Sequence, residues 1–90
     1  MPLFTFFMTY RGGTYISQAH AATPALGPKV WAAKLQYKEI YGLGPKGKEY
    51  LMKRIESESP IPITGITDTW CFGTLVNGSY AEIHFTRMAE

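Results

Sequence analysis

Asn77-Gly78, in the run TLVNGSYAE, restricts the fold more than any other residue pair in the chain. Both central residues of a type I′ turn need positive φ, and Asn-Gly between apolar stretches supplies them. A hairpin closed there sets Val76 opposite Ser79, Leu75 opposite Tyr80, Phe72 opposite Ile83 and Trp70 opposite Phe85. Side chains alternate along a strand. One face therefore carries Trp70, Phe72, Ala81, Ile83 and Phe85, and reads as a core face. The other carries Cys71, Gly73, Leu75, Tyr80, Glu82 and His84.

A near-echo lies 65 residues upstream, in TYRGGTYIS. Gly12-Gly13 suits the same kind of turn and would set Tyr10 opposite Tyr15 and Met8 opposite Ser17. One face then holds Phe4, Phe6, Met8, Tyr10 and Tyr15. The other holds Leu3, Phe7 and Ile16 among Thr5, Thr9, Gln18 and His20. A strand that is apolar on both faces is expected at the centre of a sheet or under a partner chain. On an open edge, LFTFFMTY would invite aggregation. The two runs match at residue types that any hairpin favours, so the echo reads as convergence on a good turn more readily than as a vestige of duplication.

Between the hairpins, LGPK occurs at 26–29 and again at 43–46, each time ahead of a helical stretch. Proline fits the first helical turn, where its missing N–H has no partner to lose. The spacing of Val30, Trp31, Lys34, Tyr37, Ile40 and Tyr41 predicts a helix from Pro28 to Tyr41, with Gly42 as its cap. Thr23-Pro24 also reads as a cap and first turn, so either the helix starts there and kinks at Pro28 or a short turn precedes it. A second helix is expected from Pro45 to Ser57, with Leu51, Met52 and Ile55 as its apolar stripe. The run SESPIPITGITD then reads as an extended strap returning to the sheet, because its prolines exclude helix and interior strand.

The predicted fold is a single α+β domain over residues 1–90 in the order β-β-α-α-β-β. It is a two-layer sandwich, with a four-stranded, mainly antiparallel sheet made of two hairpins and two helices on one face. The apolar fraction of 46% against 18% charged residues marks a globular chain. A single cysteine excludes an internal disulfide and zinc-finger spacing. No apolar run is long enough to span a membrane, and MPLFTFFMTYRGG lacks the basic start and cleavage site of a signal peptide. A cytoplasmic protein is expected.

Few residues carry chemistry. Cys71 falls opposite His84 with Glu82 on the same face, the minimum for a thiol–imidazole pair. No oxyanion-hole motif accompanies them, so no catalytic residue is assigned. Cys71, His84 and His20 lack metal-ligand spacing, and neither a metal nor a cofactor is assigned. GLGPKGKE departs from the phosphate-binding P-loop pattern and follows no strand. Charge is uneven, however. The net charge is +2 overall, but residues 29–54 carry +5, through Lys29, Lys34, Lys38, Lys46, Lys48, Lys53 and Arg54 against Glu39 and Glu49. Such a segment can face an anionic partner.

The run GGTYISQAHAATPALGPKVWAAKL, a turn, a strand and a Thr-headed helix, resembles the core of HicB-type antitoxin domains over about residues 4–40. Pro24, Ala25 and Leu26 stand where that family carries acidic residues, so no functional residue is transferred. The resemblance implies only a small domain that acts by binding another macromolecule. The reading is a non-catalytic binding or regulatory module that works as a homodimer, with Leu3, Phe7 and Ile16 as the expected dimer surface. The alternative is a nucleic-acid-binding protein that uses the six lysines of segment 29–54.

Overall fold

Both hairpins form, each on a two-residue turn. The computed structural model describes residues 1–89. The strands are β1 Leu3–Tyr10, β2 Gly13–His20, β3 Ile61–Pro62, β4 Thr69–Val76 and β5 Ser79–Arg87. The helices are α1 Gly27–Lys34 and α2 Gly44–Ser57, with a 3-10 turn at Tyr37–Glu39 between them. The strands make one antiparallel sheet in the order β2-β1-β5-β4-β3.

The second hairpin has the expected register from Val76–Ser79 to Trp70–Phe85. The first differs by two residues. Its turn is Arg11-Gly12, at φ 49° and 81°, not Gly12-Gly13. Tyr10 therefore pairs with Gly13, Met8 with Tyr15 and Phe6 with Ser17. A two-residue shift preserves the faces, since side chains alternate with a period of two. Gly13 lies in the strand, and the Tyr15 ring folds back over it. A Cβ at Gly13 would meet the Tyr15 hydroxyl at 2.6 Å.

The sheet has five strands, where four were expected. The strap after α2 touches down at Ile61–Pro62 and pairs with Cys71 and Trp70 of β4. Proline excludes this segment from a sheet interior but not from an edge, where its missing N–H faces solvent. The first helix is also shorter than expected and stops at Lys34, with Leu35 leaving it at ψ 132°. Packing explains the break. In a continuous helix, Ile40 would point about 180° away from Trp31. Breaking the helix lets Trp31, Leu35 and Ile40 all enter one core.

That core lies on one sheet face. Phe4, Phe6, Met8 and Tyr10 of β1 join Ala81, Ile83 and Phe85 of β5 and Phe72 and Val76 of β4, under Trp31 and Ala32 of α1 and Leu51 and Ile55 of α2. Stacked rings run through its centre. Phe6 lies 4.7 Å from Phe85 and 5.1 Å from Trp31, and Trp70 lies 5.3 Å from Phe85, by centroid. The Trp31 indole N–H donates to the Ser17 hydroxyl at 2.9 Å, so the buried ring keeps its hydrogen bond.

Candidate functional site

The helices cover only the inner face of the sheet. The pairing registers place Ile16, Phe7, His84, Cys71 and Ile61 side by side on the outer face, one from each strand. At ordinary strand spacing this row spans about 19 Å. Phe7 is 38% exposed, and Ile16 and Ile61 are each 63% exposed. Leu75 and Tyr80, a pair beside the second turn, are also exposed at 61% and 56%. Leu3 is half-buried at the start of β1.

Polar rows flank the apolar one. Gln18, Thr5, Thr86 and Thr69 form one of them. There the Gln18 amide donates to Thr5 Oγ1 at 3.0 Å, and the Thr69 hydroxyl donates to Thr86 Oγ1 at 3.3 Å. Thr14, Thr9, Glu82 and Gly73 form the other. The Tyr80 ring lies across Gly73, where a Cβ would collide with its hydroxyl. The outer face is thus a row of Ile16, Phe7, His84, Cys71 and Ile61 flanked mainly by polar side chains.

The sequence pair Cys71–His84 is a direct cross-strand pair on this face. Counting from the turn, it is a non-hydrogen-bonded pair, the kind whose side chains approach more closely. The imidazole Nε2, however, lies 3.4 Å from Glu82 Oε1. Cys71, His84 and Glu82 line an open groove of about 260 Å³ together with Glu58 and Tyr80. No cluster of three or more His, Cys, Asp or Glu able to hold a metal occurs among the described residues. His20 stands apart at the end of β2, where its Nδ1 lies 3.2 Å from the Met1 carbonyl oxygen.

The lysines lie in the other layer. Lys29 and Lys34 belong to α1, and Lys46, Lys48 and Lys53 to α2, with Lys38 in the 3-10 turn. Lys48 donates to the Ala33 carbonyl at 2.9 Å and so ties α2 to α1. Lys53 pairs with Glu49 at 3.8 Å, where both side chains are largely exposed. Such a pair contributes little to stability. Lys29, Lys34, Lys38 and Lys46 make no ion pair among the described residues. Lys46, Tyr50 and Lys53 share one exposed side of α2. The basic side chains and the open apolar row therefore occupy opposite layers of the domain.

Two features were missed in the sequence. Ile61 joins the row only because the strap pairs with β4. The second is the free side of β2, whose residues Thr14 to Gln18 border a groove of about 320 Å³ lined on its far side by Trp31, Lys34 and Glu39. Strand order, which sequence patterning does not supply, puts β2 on the edge. No helix of the described residues is long and apolar enough to cross a membrane.

No protein-family model, curated protein or solved structure matches this chain. The likeness to HicB-type domains finds no support in these comparisons, and α1 begins at Gly27 without a Thr cap.

Proposed function

We propose that the protein is a non-catalytic binding module that works as a homodimer and presents its outer sheet face to a protein partner. The observation that carries this is the uncovered Ile16–Phe7–His84–Cys71–Ile61 row across a face that the helices leave open. Large apolar side chains grouped in this way, and rimmed by polar ones, mark interaction surfaces. Leu3, Phe7 and Ile16 are the anchors that the β1–β2 half contributes.

The test compares the wild type with Phe7→Lys as bait in lysate of the source cells, with nuclease and across a salt series. A protein held by the wild type, resistant to nuclease and lost with Phe7→Lys supports the reading. Equal capture by both baits, with a folded variant, removes the outer face from it.

A second reading is nucleic-acid binding by the helical layer. It is favoured by Lys46, Tyr50 and Lys53 on one exposed side of α2, where a cationic pair flanks a ring able to stack on a base. Its signature is affinity for single strands that falls steeply with salt and is lost with Lys46→Glu/Lys53→Glu.

A further inference from the structure

The two edges of the sheet are built differently. β3 covers only the Thr69–Cys71 end of β4 on one side, with two residues, one of them Pro62, next to Pro60. A short, proline-bearing edge is a standard defence against stray pairing. β2 forms the other side with eight residues, GTYISQAH, and holds no proline, lysine or arginine. Its register against β1 runs unbroken from Tyr10–Gly13 to Leu3–His20, so no bulge twists it away. Its own residues carry none of the usual protections of an exposed edge, and the flanking α1 and 3-10 segment leave a groove beside it.

The turn fixes which backbone groups are free. In a two-residue turn the Tyr10 carbonyl accepts from the Gly13 N–H. Antiparallel pairing alternates from there. The odd residues of β2 bond to β1, while Thr14, Ile16 and Gln18 direct N–H and C=O outward. These groups have no backbone partner among the described residues. Water bonds to such groups on a free edge, and another extended strand would pair with the whole row at once.

We infer that β2 pairs antiparallel with β2 of a second copy of this chain, joining two five-stranded sheets into one. This deepens the self-association half of the proposed function and places the joint at the edge rather than on the outer face. The charges beside the edge select the register. Trp31 donates to Ser17, which places α1 and its Lys34 at the Ser17 end of the groove. The Tyr41 N–H donates to the Tyr15 hydroxyl at 3.2 Å, which places Glu39 at the Tyr15 end. A two-fold axis at Ile16 sets Ser17 opposite the partner's Tyr15 and brings Lys34 toward the partner's Glu39, twice per dimer. An axis at Ser17 would oppose two lysines, and one at Tyr15 would oppose two glutamates. The joint leaves both outer faces on the same side as one continuous surface.

Amide hydrogen exchange on the wild-type chain, with light scattering over a concentration series, tests this directly. The expected result is a dimer in which the Thr14, Ile16 and Gln18 amides become protected as concentration rises. Lys34→Glu should weaken self-association severalfold, and adding Glu39→Lys should restore it, because both side chains are exposed and the swap inverts the same pair. Ile16→Pro removes an outward N–H without touching a β1 bond and should weaken the dimer about tenfold or more. A dimer whose three amides exchange freely overturns the edge joint and leaves self-association standing. A monomer at every concentration overturns both.

Discussion

The buried hydroxyl of Tyr10, at the end of β1, donates to the carbonyl of Val76 at 2.8 Å, 66 positions along the chain. Around this bond the two hairpin turns meet the connection between the helices. Arg11 Nη2 donates to the Asn77 carbonyl at 2.8 Å, and the Asn77 side-chain amide donates to the carbonyls of Gly42 and Leu43 at 3.1 and 3.0 Å. One cluster thus locks the first hairpin, the second hairpin and the helix–helix turn together. Tyr10→Phe keeps the ring and leaves the Val76 carbonyl with only the Ser79 N–H that closes its turn. It should cost about 1 kcal/mol, read as a lower denaturant midpoint with an unchanged slope.

Asn77 has two separable duties in that cluster. Its φ of 52° serves the turn, and its amide serves Gly42 and Leu43. Asn77→Gly should keep the turn and lose the bonds, at about 1 kcal/mol each at most. Asn77→Ala loses the bonds and strains the turn as well, so it should melt below Asn77→Gly in thermal denaturation.

Phe6 and Phe7 are neighbours in sequence with opposite fates. Phe6 is stacked inside the core, and Phe7 stands on the open face. Phe6→Ala should cost about 3–5 kcal/mol. Phe7→Ala should leave stability within about 1 kcal/mol and abolish partner capture. Chemical denaturation and the capture assay, run on both variants, check the pair.

The break after α1 predicts an uneven response to proline. Leu35 already has the extended ψ that a following proline demands. Gln36→Pro should therefore cost no more than about 1 kcal/mol. Ala32→Pro, inside α1, should cost about 3 kcal/mol or more. Comparable costs at the two sites would show that the helix continues through Leu35.

Much of this architecture is legible in the residues alone. Asn77-Gly78 sets a turn by its backbone preference, and alternation then assigns every residue of β4 and β5 to a face. The Gly-Pro pairs mark both helix starts, and the two-faced apolarity of β1 demands a central strand. These are local properties, written in φ preference and in spacing. The outer row was half visible, since Leu3, Phe7 and Ile16 fall on the face the helices leave bare.

The rest needed contacts between distant segments. Arg11-Gly12 and Gly12-Gly13 are both plausible turns locally, and the folded chain takes the first, with Arg11 donating to the Asn77 carbonyl of the second turn. That choice offsets the echo between the hairpins, because the turns align Arg11 with Asn77, one residue off the sequence match. The strap becomes β3 only because β4 offers it a free edge. β2 is left on the opposite edge because β1 and β5 pair at the centre of the sheet. Residue preferences fix which way a side chain points along a strand. Which strands lie side by side is decided by the burial that the whole chain achieves, a sum over segments that no single stretch contains.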